Sequence, residues 1–407
     1  MTLIDLDLPR TGSRFSAPRD PHGSFIDETI GIVARQTRDI VSFAVGSPAP
    51  EALALVGAAE LARDVIEQDG PTALSYGITE GDPELREIIA QTARDRGLAA
   101  SGGDVIVTAG ALQAIDLVCR VLIRPGDLVV VETPGFTNAL AAFRNHGARL
   151  LEVPVDDEGL VVAEAARALR SSGERPRLFF VVPNFQNPSG VTLSLRRREE
   201  LLALAAETGA LIVEDDPYAE LRYRGSDLPP LAALAPTAGV ISIGSFSKVF
   251  LPGLRVGWAI ADDGIVRRMA AAKQALDSST SSLGQWMAVE FARRGRPPQH
   301  IAQLREIYKK KQDRARAALT RSFGDVPDLS WSDPDGGFYF WIDLPRHVSA
   351  RRLFDAALEE GVAFVPGDAF GIVADHSSSL RFSISAPTPD RIDLGVARLR
   401  RAFDRVA

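Results

Sequence analysis

From about residue 104 the hydrophobic pattern of the chain becomes regular. Short runs rich in β-branched residues, "DVIVTAG", "DLVVVETP", "RLLEVPV", "RLFFVVPN", "ALIVEDD" and "GVISIGS", alternate with helix-like segments such as "LRRREELLALAAETG". The runs are apolar throughout rather than at every second position, as expected of strands covered on both faces. Strands of that kind, separated by helices, predict a three-layer α/β domain around a mostly parallel central sheet.

After about residue 290 the texture changes. A long charged helix, "HIAQLREIYKKKQDRARAALTRSF", leads into "GGFYFWIDLP", "GVAFVPG" and "SLRFSIS", which read as strands of a smaller α+β unit. Residues 1 to about 35, rich in Arg, Asp, Pro, Gly and Ser, read as an arm with one helix. The expected division is an N-terminal arm over 1–45, a large domain over 46–290 and a small C-terminal domain over 291–407. On the long helix, Lys309, Lys310 and Lys311 read as a solvated face.

Composition narrows the classes. A chain of 407 residues, 45% hydrophobic, is long enough to bury the cores of two domains. Its formal charge of −7 is modest and unclustered, which argues against nucleic acid or an anionic membrane as the main partner. The sequence holds no run of about 18 apolar residues, so no transmembrane helix is expected. The start "MTLIDLDLPRTG" lacks the basic and apolar regions of a secretion signal. Cys119 is the only cysteine, which rules out an intrachain disulfide and makes the cytoplasm the default location. It stands in "ALQAIDLVCRVLI" and reads as a core thiol.

The charge distribution raises a sharper point. The sequence has five lysines, of which Lys248 stands alone in "GSFSKVFLPGLRVGW". No P-loop, HExxH, paired CxxC or GxSxG elbow is present, and the five histidines are scattered. In α/β sheets ligands bind at the carboxyl ends of the strands. Polar residues gather at four such ends: Gly110 after "DVIVTA", Asn187 after "LFFVVP", Asp215 after "ALIVE", and Ser245 with Lys248 after "VISIG".

That set suits a phosphorylated heteroaromatic ring bearing an aldehyde. A lysine forms a Schiff base with an aldehyde, and pyridoxal 5'-phosphate then serves as an electron sink. Asp215 suits the pyridine nitrogen, with Asp216 its competitor, and Tyr218 and Asn187 suit the phenolic oxygen. The turn and helix start at Gly110, Ala111 and Leu112 suit the phosphate, with the Ser245 and Ser247 hydroxyls and the Arg255 guanidinium.

The motifs "YGITEGDPELRE", "NFQNPSG", "VEDDPYAEL", "GSFSKVFLPGLRVGW", "GGFYFWIDLP" and "LRFSIS" occur in this order. In this the chain resembles the class I/II aminotransferases of fold-type I, over most of its length. It is closest in pattern to the branch holding 2-aminoadipate, kynurenine and branched-chain or aromatic amino-acid aminotransferases. The resemblance implies that Lys248 is the Schiff-base residue and general acid/base, with Asp215 and Tyr218 beside it. It implies Asn187 and Arg255 as cofactor ligands, Arg381 as the clamp for the substrate carboxylate, and a homodimer in which Tyr76 reaches the neighbouring subunit's phosphate. Amino acids and 2-oxo acids are the implied substrates. Three positions depart from the usual pattern: Phe136 where a tyrosine is common, Ala111-Leu112 after the glycine turn, and Ser47-Pro48 near the substrate. They leave room for elimination, replacement, carbon–carbon bond formation or oxidation on the same cofactor. A ligand-sensing module of a winged-helix regulator is the reading from another class; the arm here is short for a DNA-binding domain and lacks a basic recognition helix.

Overall fold

The apolar runs become the strands of one eight-stranded sheet. The computed structural model describes residues 25–35, 37–234 and 239–407, so the first part of the expected arm lies outside the described residues. The strands lie in the order Val105–Thr108, Gly257–Ile260, Val240–Ser245, Leu211–Asp215, Leu178–Val181, Leu128–Thr133, Arg149–Asp156 and Gly159–Leu160. The five from Val240–Ser245 to Arg149–Asp156 are mutually parallel. Gly257–Ile260 runs against both of its neighbours, so Val105–Thr108 points the same way as the parallel five.

The uniformly apolar runs are buried at every position in Val105–Thr108, Leu128–Thr133 and Leu178–Val181, as two covering helix layers require. Arg149–Asp156 departs from that expectation and is mostly half-buried or exposed. It lies next to the sheet's edge, covered on its outer side only by the two-residue strand Gly159–Leu160. The antiparallel strand Gly257–Ile260 was not among the expected strands. It is short and opens on a glycine that the fold requires, since a Cβ there would stand 2.6 Å from the amide nitrogen of Ala111. The helix Ala111–Leu122 packs Ile115, Val118 and Cys119 against this sheet, and Cys119 is fully buried as a core thiol. Each fully buried aliphatic side chain of this kind contributes about 1.5–3 kcal/mol.

The C-terminal part forms an antiparallel sheet in the order Ser330–Trp331, Tyr339–Asp343, Ser379–Ser383 and Val365–Pro366. The helices Pro297–Phe323 and Pro389–Asp404 pack against one another beside it. The segment that follows the helix Phe25–Ala34 joins this unit: Val41–Ser42 pairs in parallel with Val362–Ala363.

One expectation about the long helix is corrected. Lys310 is exposed and Lys309 pairs with Asp313 at the surface, but Lys311 is 1% exposed. It falls on the helical stripe of Leu304, Tyr308 and Ala315 that faces inward, so the triplet is split between two faces. Among the described residues no helix is long and apolar enough to cross a membrane.

Candidate active site

The parallel sense of four strands brings their carboxyl ends to one side, where a cavity of about 290 Å³ opens. Lys248, Asp215, Tyr218, Asn187 and Arg381 line it, as do Ser245, Ser247 and Arg255. Phe136, Ser47, Ala111 and Leu112 line it too, as expected from the sequence.

Lys248 enters through a short helical turn, Phe246–Lys248, that follows directly on the strand Val240–Ser245. The Ser245 hydroxyl caps this turn by accepting from the Ser247 amide at 3.0 Å and donates to the Ser247 hydroxyl at 2.9 Å. The Lys248 ammonium donates to the Gly46 carbonyl at 2.8 Å. Burial lowers its pKa, and the Arg381 and Arg255 cations act in the same direction, against the opposing pull of Tyr339 and Asp215. A lysine so placed yields a neutral amine more readily than a solvated one.

Asp215 closes the strand Leu211–Asp215 and is 3% exposed. Its Oδ1 has no hydrogen-bond partner among the described residues. Burial, helped by the neighbouring Asp216, pushes its carboxyl up to about 7, against the pull of Lys248. Asp216, the first residue after the strand, is engaged elsewhere. Its carboxylate takes the Arg96 guanidinium at 2.7 Å and the Asn184 amide at 2.9 and 3.0 Å. The two adjacent aspartates are thereby distinguished: one is paired, and the other faces the cavity unpaired.

The Tyr218 hydroxyl lies 3.1 Å from that of Tyr339, and burial raises its pKa well above the ordinary range. Asn187 accepts from Arg381 Nη1 at 2.9 Å, while Arg381 Nη2 donates to the Ala44 carbonyl at 2.7 Å. Arg381 is 1% exposed, and its guanidinium lies 4.6 Å from the Tyr339 ring centroid. Its Nε has no partner, and among the described residues no carboxylate pairs with it. The strand Ser379–Ser383 is buried throughout because a neighbour flanks it on each side. A buried, unpaired guanidinium carries a large desolvation cost that an incoming carboxylate would offset.

At the other end, the helix Ala111–Leu122 starts at Gly110 with φ 81° and no side-chain cap. A side chain at 110 would collide with the Arg255 guanidinium, which reaches the Ser247 hydroxyl at 3.4 Å. An uncapped helix start, two hydroxyls and a guanidinium make an anion site. The donor set therefore fits a phosphorylated pyridine aldehyde: an amine, an acid without a cation, and a phosphate cradle. Tyr76 is 94% exposed in the loop after the helix Ala58–Ala73 and does not line its own chain's cavity.

The lining also holds residues that were not anticipated, among them Ile26, Gly46, Asn138 and Tyr339. Tyr339 lies in the "GGFYFWIDLP" motif, which signalled a strand and the family but not the direction of its ring. Gly46 shows itself only through space, since a Cβ there would collide with the Tyr339 hydroxyl. Ile26, from the helix Phe25–Ala34, carries no sequence signal for such a place.

Fold and site together define an enzyme of the fold-type I pyridoxal-phosphate class. The family model for aminotransferase class I and II matches residues 38–399, and the chain belongs to that family. It is 36% identical over 368 residues to aromatic-amino-acid aminotransferase 1 of Thermococcus litoralis, covering 89% of this chain and 88% of that protein. The fold is similar to α-aminoadipate aminotransferase of Thermus thermophilus, solved with N-(5'-phosphopyridoxyl)-L-leucine: TM-score 0.86, 38% identity, 93% of this chain and 94% of that one. It is also similar to kynurenine aminotransferase of Pyrococcus horikoshii, with TM-score 0.90 and 35% identity over 98% of both chains.

Proposed function

We propose that six side chains, Lys248, Asp215, Tyr218, Asn187, Arg255 and Arg381, carry the reaction of this enzyme. The enzyme is an aminotransferase dependent on pyridoxal 5'-phosphate, and it moves an amino group from an amino acid to a 2-oxo acid. When bound, the cofactor supplies an aldehyde that condenses with amines and a ring that accepts the electron pair of a broken Cα–H bond. Lys248 would hold the aldehyde carbon of the cofactor; once free, its amine would take the proton from the substrate α-carbon and deliver it to that former aldehyde carbon. Asp215 would hold the pyridine nitrogen protonated. Tyr218 and Asn187 would donate to the phenolic oxygen, and the turn at Gly110 with Ala111, Leu112, Ser245, Ser247 and Arg255 would hold the phosphate. Arg381 fixes the α-carboxylate, so that the Cα–H bond stands where Lys248 reaches it. Asp215 carries this reading: a buried carboxylate with a free oxygen, facing the cavity that Lys248 enters, fits a cationic ring nitrogen.

Among the described lining residues the cations are Lys248, Arg255 and Arg381, and the roles above use all three. None is left for a second carboxylate, while Ile26, Phe136 and Tyr339 add apolar wall. The relative that acts on aromatic amino acids agrees with an apolar or aromatic substrate side chain. The active unit is a homodimer in the same reading, with Tyr76 donating to the phosphate of the neighbouring site, and the enzyme works in the cytoplasm. Purified protein offered a panel of amino acids, with formation of each 2-oxo acid followed, tests the reading. Turnover of phenylalanine or leucine above aspartate and glutamate is expected. A preference for the acidic pair would refute the assigned cations, and failure to form any 2-oxo acid would refute the roles as a set.

A further inference from the structure

The buried Lys311 has a place in the molecule that the reaction described above does not use. Its ammonium donates to the Ser385 carbonyl at 2.9 Å and pairs with Glu51 at 2.8 Å. Three residues earlier on the same helix, the Tyr308 hydroxyl accepts from the Ala49 amide at 3.0 Å. The contacts with Glu51 and Ala49 reach the segment 43–51, whose Gly46 and Ser47 line the active-site cavity.

That segment is stitched to the C-terminal unit along its length. The Phe43 amide donates to the Ala363 carbonyl at 2.7 Å, and the Phe43 carbonyl accepts from the Ser383 amide at 2.8 Å. The Ser385 hydroxyl donates to the Val45 carbonyl at 3.0 Å. Between these stitches and Ala49 stand Gly46, whose carbonyl receives Lys248, and Ser47, which lines the cavity. The stretch that touches the reacting amine is thus held from its two flanks. Lys311 joins those flanks, because one donor group binds Glu51 beyond the stretch and the carbonyl of Ser385, whose hydroxyl holds Val45 before it.

We propose that Lys311 is a positioning residue: it fixes Gly46 and Ser47 in the cavity wall and thereby sets the geometry in which the amino acid binds beside Lys248. Burying a lysine is costly, and burial lowers its pKa against the opposing pull of Glu51. A solvated lysine on the helix's other face would cost nothing, so the expense goes with a fixed location for the segment. The proposal concerns this chain's own contacts and stands whichever amino acid proves to be the substrate.

Steady-state kinetics of the holoenzyme with Lys311→Met, Glu51→Gln and the double variant test it, with Lys309→Met as a surface control. Each single change should raise KM for the amino acid about ten-fold while kcat stays within about three-fold, since the reacting groups are untouched. The double variant should be no worse than the worse single one, because both lesions break one link. Lys309→Met should leave both constants unchanged. A lower melting temperature with unchanged KM would reduce Lys311 to a structural role and overturn the proposal, as would singles whose effects multiply in the double. Should Lys311→Met fail to fold, Glu51→Gln decides, because Glu51 is itself partly exposed.

Discussion

Lys248 and Asp215 are both held against their ordinary ionisation by burial, in opposite senses. The Asp215 carboxyl, at about 7 in the fold, lies at about 3.9 once unfolded, so the native state binds its proton more tightly. Its contribution to stability is complete below about pH 4 and is lost as the pH rises through 7. Asp215→Asn removes that loss. In urea unfolding of the cofactor-free protein, the variant should therefore gain on the wild type between about pH 4 and 7, the gain levelling off above pH 7. A difference independent of pH would show that the carboxylate is not buried without a cation. In the loaded enzyme the same substitution should slow the reaction severely, whereas Asp216→Asn, whose carboxylate serves Arg96 and Asn184, should cost far less turnover. Reversed effects would move the assignment by one residue. For Lys248, borohydride reduction should fix the cofactor to a single peptide containing that residue. Lys248→Ala should lower kcat by roughly 10²–10⁴-fold or more. Labelling found on Lys273 would overturn the role; that residue is fully buried and pairs with Asp277 at 2.6 Å.

At the scale of elements, the anion cradle depends on how one helix begins. Gly110 has a positive φ, and the space a side chain would need is filled by Arg255. Gly110→Ala should cost about 1–3 kcal/mol from the backbone alone, since φ 81° with ψ 168° is a conformation essentially confined to glycine. It should also weaken cofactor binding by displacing the guanidinium. Equilibrium dialysis and thermal melts read the two effects separately, and a variant with unchanged cofactor affinity would refute the cradle. The sequence showed this element well: "TAGALQAID" reads as strand, glycine turn and helix, and the structure has all three. The strand Gly257–Ile260 was not legible, because four residues opening on glycine give no period to detect. Lys311 was misread for a related reason: in a triplet of lysines the charge pattern hides which member falls on the inward stripe.

For the whole molecule, Tyr76 is the telling residue. Its phenol is 94% exposed beside exposed Leu74 and Ile78 and is not among the described residues that line its own chain's cavity. In a two-fold dimer it would complete the partner's site, so each site would draw on two chains. Mixed and exchanged Lys248→Ala and Tyr76→Phe chains should then form hybrids with one doubly damaged site and one intact site. Activity should rise above that of either parent. Fully active monomers at assay concentration would exclude a shared site.

The sequence by itself determined the parts that local chemistry dictates. Lysine condenses with an aldehyde where arginine does not, so Lys248 stood out in a chain that takes nearly all its other positive charge from arginine. Buried strands read as apolar runs, and their ends carried Asn187, Asp215 and Ser245. The tertiary structure alone decided which groups meet across long stretches of chain. Arg96 claims Asp216 from 120 residues away and so frees Asp215. Tyr339 meets Tyr218 across 121 residues, and Arg381 meets Asn187 across 194. Glu51 and Lys311 are joined only by the fold. Periodicity and motif spacing act over a few turns of backbone, whereas pairing between distant residues is set by sheet order and packing. That is why the residues at the site were legible one by one, and their partners were not.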